Sequence, residues 1–150
     1  MLVIEKLNSN VSEIIDTCIA RVYLAFGNTK SAKDKLIKLV TKYPESYVGH
    51  KLLAQIYEKE GGQRKAADEY VQAIDLNKND FDSYYKVANI LTDLDKKDDA
   101  IKILNNLLSK KPDYTEATIA LGDLLIEKED YKEAVNIYTE ALKYSPTSFD

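Results

Sequence analysis

Residues that form covalent or metal-based sites are scarce in this 150-residue sequence, which has one cysteine, one histidine and no tryptophan. Because Cys18 is the only cysteine in the sequence, an internal disulfide and a cysteine-based metal cluster are both excluded. A chain of this length can bury a core without either. The sequence also has only 5 Gly and 3 Pro beside 31% charged residues, which favours helices with exposed charged faces over loops. We expect no metal and no other cofactor.

Positive charge is not in excess, and long apolar segments are missing. There are 21 basic and 25 acidic residues, giving a net charge of −4, so a nucleic-acid partner is not expected. The longest apolar stretch, from Ile19 to Phe26, contains Arg21 and is too short for direct membrane insertion. The first ten residues lack the basic start of a signal peptide. We therefore expect a cytoplasmic protein, or a soluble region of a larger or membrane-attached one.

An internal repeat organises the chain. Pro112 and Pro146 are 34 residues apart, Pro44 precedes Pro112 by two such periods, and Lys78 stands at the halfway point. This period divides the sequence into the units 13–46, 47–80, 81–114 and 115–148. Residues that did not define the period agree with it, because small residues recur at positions 8 and 20 of every unit. They are Ala20, Ala54, Ala88 and Gly122, and Ala32, Ala66, Ala100 and Ala134.

Each unit has the pattern of a helical hairpin. Apolar residues recur three and four positions apart in two blocks of about 14 residues, the spacing of amphipathic helices. Turn-forming residues separate the blocks, as in Gly27-Asn28 and Gly61-Gly62. Ser46 and Asp80 stand where a polar side chain would cap the next helix. The sequence therefore predicts an all-α chain of eight antiparallel helices.

These features carry a family resemblance. The units combine an aliphatic and a small residue at positions 7 and 8, Tyr or Leu at 11, Ala at 20 and, except at Lys78, Pro at 32. Over residues 13–148 the chain resembles the tetratricopeptide repeat. The resemblance implies an α-solenoid of helix-turn-helix repeats wound into a right-handed superhelix. It also implies a non-enzymatic scaffold for protein–protein interaction, with tetratricopeptide repeats 1 to 4 in the units above. One departure is that the family's aromatic at position 4 is present only as Tyr84.

Both ends of the sequence look incomplete. Residues 1–12 are predicted to be a partial helix of a preceding repeat or an N-terminal cap, and 149–150 the start of a following repeat. The last predicted helix presents Val135, Tyr138 and Leu142 with no helix to follow. We expect a fragment of a longer array, and end-to-end self-association through this face.

Candidate catalytic residues have structural interpretations. His50 lies at position 4, where the family has an aromatic, which favours a packing histidine over a general base. Cys18 lies among apolar residues, which favours a buried, inert thiol. Six of the eleven tyrosines occupy recurring repeat positions and are expected in the core: Tyr23, Tyr57, Tyr70, Tyr84, Tyr131 and Tyr138. We expect no catalytic residue and no enzyme.

The resemblance places a partner-binding groove on the first helix of each unit, at positions 2, 5, 9, 12 and 13. The formal charge of these positions is +1, +1, −2 and −3 from the first unit to the fourth. A partner protein or peptide with basic and apolar residues is therefore expected. A clamp for a C-terminal carboxylate is not expected, since Asp82 or Glu116 stands at a required basic position. The predicted groove residues are Arg21, Lys51, Gln55, Asp82, Tyr85, Asn89, Glu116, Ile119, Asp123, Ile126 and Glu127.

Two other functions are compatible with the same sequence. The chain could be a structural spacer or self-assembly element that stacks end to end. It could equally be an accessory segment of a larger enzyme whose catalytic domain lies outside these 150 residues. Tyr85 favours partner binding, because it is an aromatic residue at a groove position where packing does not require one.

Overall fold

The computed structural model describes residues 2–144, and within them the chain forms eight α-helices and no strand. Alternating apolar positions three and four residues apart give each helix one buried stripe. The helices are α1 (Leu2–Ala25), α2 (Thr29–Lys42), α3 (Tyr47–Lys59), α4 (Gln63–Leu76), α5 (Phe81–Asp93), α6 (Lys97–Lys110), α7 (Thr115–Glu127) and α8 (Tyr131–Leu142).

The same tight turn joins the two helices of each hairpin. The four residues with positive φ, which are Gly27, Gly61, Asp95 and Glu129, recur every 34 residues. After each of them a backbone N–H donates back to a carbonyl five residues earlier, as Asn28 does to Tyr23 at 2.8 Å. This is the Schellman ending of a helix, which needs a left-handed residue and therefore favours glycine. Asp95 and Glu129 adopt the same conformation without being glycine.

Side-chain caps start several helices where the sequence predicts them. Ser46 accepts a hydrogen bond from the Gly49 N–H at the start of α3. Asp80 accepts one from the Ser83 N–H at the start of α5. Each cap satisfies a backbone donor that the first turn of a helix leaves unpaired.

The chain divides into two compact units, Met1–Lys78 and Asn79–Asp150. In the first unit α1 packs on α2, α3 on α4, and α2 on α3. Its core includes a cluster of Ala20, Ala32, Leu36, Leu53 and Ile56. In the second unit α5 packs on α6, α7 on α8, and α6 on α7. The repeating small residue of each second helix is buried in both units.

The first helix differs from the sequence prediction. Residues 1–12 are predicted to be a partial helix of a preceding repeat or an N-terminal cap, and in the structure α1 runs without a break from Leu2 to Ala25. Cys18, predicted to be buried, is exposed, and the predicted core residues Tyr23 and Tyr131 are 37% and 60% exposed. The physical reason is that these side chains lie on helix faces that no described helix covers. Phe149 and Asp150, predicted to begin another repeat, lie outside the described residues.

The exposed face of α8 agrees only in part with its prediction. Val135 and Leu142 are 64% and 65% exposed, as expected for a face without a following helix. Tyr138 is half-buried instead, because its ring packs against Gly122 of α7. Between residues 2 and 144 no helix has both the length and the apolar character needed to cross a bilayer.

Candidate functional site

All eleven predicted groove residues lie on the first helix of a hairpin, and none is buried. Arg21 is on α1, and Lys51 and Gln55 are on α3, so three lie in the first unit. The second unit holds the other eight, on α5 and α7: Asp82, Tyr85, Asn89, Glu116, Ile119, Asp123, Ile126 and Glu127. The acidic part of the predicted surface therefore lies within one compact unit.

Four side chains of the second unit form what we call the tyrosine–carboxylate cluster: Asp82, Tyr85, Tyr114 and Glu116. Asp82 and Tyr85 are three residues apart on α5, which places them on one helix face. The rings of Tyr85 and Tyr114 have centroids 5.7 Å apart and are tilted by 39°, a favourable aromatic geometry. Glu116 is in the first turn of α7, two residues after Tyr114. The cluster thus joins the starts of two neighbouring first helices.

The electrostatics of the cluster disfavour negative charge and favour positive charge. Burial raises the pKa of the Tyr114 hydroxyl, and the nearby Asp82 and Glu116 carboxylates raise that pKa further. The same negative potential attracts a cation, whose preferred partners are an aromatic face and a carboxylate. Lys111, in the loop before α7, pairs with Asp113 at 3.3 Å and lies 5.9 Å from the Phe81 ring centroid.

Tyr114 is not among the predicted groove residues, although its place in the repeat carries a signal. In the 34-residue period its counterparts are Ser46 and Asp80, and both of these cap a helix with their side chains. Tyr114 occupies the same N-cap position of α7 and makes no capping hydrogen bond with its side chain. An aromatic residue at a position that normally caps a helix indicates a different role, here the contact with Tyr85.

Glu127 does not present an open carboxylate. It lies 2.9 Å from the Lys97 ammonium of α6, and this hydrogen bond is the main reason that the pKa of Lys97 is raised. Next to this pair, Lys128 forms an ion pair with Asp98. The acidic end of the predicted groove is therefore partly neutralised within the unit, which the charge count along one helix face could not show.

Asp123 and Ile119 lie on α7 close to α8, within the last hairpin. Burial and the Asp123 carboxylate together raise the pKa of Tyr138, so Asp123 lies close to α8. Ile119 is 50% exposed and lines a cavity of about 480 Å³ with Tyr138, Leu142 and other residues of the unit. Ile126, at 44% exposed, and the half-buried Asn89 complete the predicted set in this unit.

The predicted residues of the first unit are more dispersed. The Lys51 ammonium lies 3.5 Å from the Tyr47 hydroxyl and 5.9 Å from the centroid of the same ring. Gln55 is half-buried one turn further along α3, and Arg21 is exposed on α1. Lys51 and Arg21 give this unit a positive surface, in contrast to the carboxylates of the second.

His50 has the structural role that its repeat position predicts. It is 7% exposed, with Nδ1 2.6 Å from a Glu69 carboxylate oxygen and Nε2 3.0 Å from the Pro44 carbonyl oxygen. The imidazole thus ties α3 to α4 and to the preceding loop. Among residues 2–144 no three His, Cys, Asp or Glu side chains are grouped so that they could hold a metal ion.

Comparison with known proteins identifies the repeat. Two family models described as tetratricopeptide repeat match residues 19–46 and 91–150, together more than half of the chain. No curated protein matches the sequence.

Solved structures show the same fold. A crystal structure of MamA is 24% identical and covers 87% of this chain and 77% of its own, with a TM-score of 0.76. A second MamA structure is 25% identical over 94% of this chain and 76% of its own, with a TM-score of 0.74. A tetratricopeptide repeat protein from Parabacteroides merdae is 22% identical over 92% of this chain and 55% of its own, with a TM-score of 0.79. These likenesses agree with an all-α helical-repeat solenoid.

The recurring helical hairpins, the two family matches and the structural neighbours lead to one conclusion. Tetratricopeptide repeats are in general non-enzymatic interaction modules. This chain belongs to the tetratricopeptide repeat family.

Proposed function

We propose that the chain is a non-enzymatic scaffold that binds a segment of a partner protein along the first helices of its hairpins. The observation that carries the proposal is the tyrosine–carboxylate cluster, where the paired rings of Tyr85 and Tyr114 lie near Asp82 and Glu116. The partner segment carries lysine or arginine spaced among apolar residues. A basic side chain of the partner occupies the cluster, and the exposed Ile119 and Ile126 contact its apolar residues.

Each single contact in this site contributes little binding free energy, so several contacts must act together. A cation over an aromatic ring contributes about 0.5–1 kcal/mol at an exposed site. An exposed ion pair contributes about 0–1 kcal/mol. One basic residue in the cluster therefore gives weak binding, and the apolar contacts of Ile119 and Ile126 supply the rest. Because Glu127 is paired with Lys97, we assign charge recognition on α7 to Glu116 in its first turn rather than to the far end of the helix.

Selection from a random library of 12-residue peptides tests this proposal without a known partner. Immobilised wild-type protein is expected to enrich peptides that have lysine or arginine among apolar residues. The enriched peptide should bind more weakly as salt rises, because screening shortens to about 3 Å at 1 M salt. Enrichment of acidic peptides, or of none, would contradict the proposal.

Reversing the charge of Glu116 tests whether the enriched peptide binds at the tyrosine–carboxylate cluster. Glu116→Lys is expected to slow association of the enriched peptide and to weaken its salt dependence, because it places a positive charge beside the tyrosine pair. Asp99→Lys is the matched control, since it makes the same charge change on an exposed residue of α6 in the same unit. Equal effects of the two variants would show a response to net charge alone.

A second candidate function is a structural element that stacks end to end. The exposed Val135 and Leu142 of α8 favour it. This function predicts self-association that is lost on Val135→Lys, a variant that leaves the Tyr138 ring packed against α7. The accessory role beside an enzyme domain and the cytoplasmic location stay predictions.

A further inference from the structure

We propose that the outward face of α1 is a self-association surface on which a second copy of this chain docks. This face, which we call the α1 stripe, consists of Val3, Ile4, Leu7, Val11, Ile14, Ile15, Cys18 and Val22. Every one of these residues is exposed. The surface is independent of the tyrosine–carboxylate cluster and lies in the other compact unit.

The stripe lies opposite the face that holds α1 in its unit. Thr17 and Ala20 are buried, and Asp16 pairs with Lys35 of α2 at 2.5 Å. Val11 is nine residues from Ala20, which at 3.6 residues per turn places it half a turn away. The helix therefore has two apolar faces, and α2 covers only one of them.

The apolar residues of the stripe repeat with the heptad spacing of paired helices. Ile4, Val11 and Cys18 are seven residues apart, and Leu7 and Ile14 form the second such series. Aliphatic residues in these two series form the seam of a coiled coil. Two copies of α1 present identical seams, so they can meet through a symmetric interface in which each residue contacts its equivalent surface on the other copy.

The exposed area is sufficient for a dimer. Seven aliphatic residues of the stripe are 53–72% exposed, which leaves on the order of 500 Å² of apolar surface on one copy. Two copies would bury about 1,000 Å² from these side chains alone, the size at which specific interfaces begin. The corresponding face of α8 has only Val135, Leu142 and Tyr131 above half exposure within the helix. The larger exposed apolar area therefore favours α1 over α8 as the self-association surface.

Charge does not oppose the pairing. The helix carries Glu5, Glu13 and Asp16 against Lys6 and Arg21, so it is close to neutral although the chain carries −4. Asp16 is already paired with Lys35. Two copies of α1 consequently approach without a large repulsion, which an apolar seam between acidic proteins requires.

Sedimentation equilibrium of the full chain from about 1 µM to about 1 mM tests the proposal. We expect a reversible monomer–dimer equilibrium, and we expect Val11→Lys to raise the dimer dissociation constant at least about tenfold. Leu7→Lys, at a second exposed position, repeats the test if Val11→Lys loses helicity by circular dichroism. Val135→Lys is the control on α8 and should dimerise like the wild type.

Cys18 provides an independent readout within the stripe. Because its thiol is exposed in the single chain, its reaction with a thiol reagent should slow as protein concentration rises through the dimer dissociation constant. In Val11→Lys this rate should not depend on concentration. A monomer at every concentration, or an association lost in Val135→Lys but kept in Val11→Lys, would overturn the proposal.

Discussion

Replacing Gly122 with alanine should reveal how the last hairpin is packed. A Cβ at this position of α7 would lie 2.8 Å from Cε1 of Tyr138 and closer still to its hydroxyl end. Such overlap forces a packed side chain to move and costs about 1–3 kcal/mol. Alanine also gains about 1 kcal/mol in a helix interior relative to glycine. The net change for Gly122→Ala is therefore between about zero and 2 kcal/mol of destabilisation.

Comparison with the other hairpins shows how the Tyr138 side chain differs from its counterparts in its contact with position 122. Tyr70, 68 residues earlier, coexists with Ala54 because its hydroxyl donates to the Glu58 carboxylate at 2.8 Å. The counterpart of Glu58 is Ile126, which offers no acceptor, and the carboxylate beside the Tyr138 hydroxyl is instead Asp123 of α7. In the remaining hairpins a buried leucine, Leu36 or Leu104, occupies the position of Tyr138 and a buried alanine that of Gly122.

A double-mutant cycle isolates the overlap. In a Tyr138→Leu background, which reproduces the leucine–alanine pair of the other hairpins, Gly122→Ala should stabilise the chain by about 1 kcal/mol. The coupling energy between the two positions is then about 1–3 kcal/mol. Urea unfolding followed by circular dichroism gives the four free energies of the cycle. Coupling below about 0.5 kcal/mol would refute the packing described for this hairpin.

Three further changes have defined outcomes. Ala100→Leu should lower the free energy of unfolding by about 1–3 kcal/mol, because Ala100 is fully buried, whereas exposed Lys102→Ala should stay within about 0.5 kcal/mol of wild type. Glu129→Gly should stabilise by up to about 1 kcal/mol, since φ is 61° at Glu129; a lower urea midpoint would count against it. Because burial and Asp123 raise the pKa of Tyr138 in the folded state, its stabilising contribution is complete below the ordinary tyrosine pKa and is lost as pH rises through the folded pKa. Tyr138→Phe should make the alkaline fall in stability smaller, as measured by urea unfolding above about pH 10.

Much of the fold could be predicted because the same local chemistry recurs along the chain. The 34-residue period places the small residues that are buried, and Ser46 and Asp80 cap helices as their residue types predict. The turn at Gly27 and Gly61 is also local, since glycine tolerates the positive φ that the helix ending needs. These features depend on neighbours within a few residues, which one sequence displays.

Features that depend on distant neighbours were not predictable. The pairing of Glu127 with Lys97 joins two helices across 30 residues, so counting charges on one helix overestimated the open negative charge. The apolar residues next to Cys18 in the sequence are compatible with a buried or an exposed thiol. The thiol is exposed because α2 packs on another face of α1. Tyr114 had a detectable signal at its cap position, but its contact with Tyr85 required the structure.

An NMR titration tests the central claim most directly. The isotope-labelled 150-residue chain is titrated with the basic, apolar peptide obtained from the library selection, and the backbone chemical-shift changes are mapped onto the helices. We expect saturable shifts concentrated at Asp82, Tyr85, Tyr114 and Glu116, with smaller ones in a Glu116→Lys variant at equal peptide concentration. Shifts concentrated on the second helices α6 and α8, or unchanged by Glu116→Lys, would contradict it.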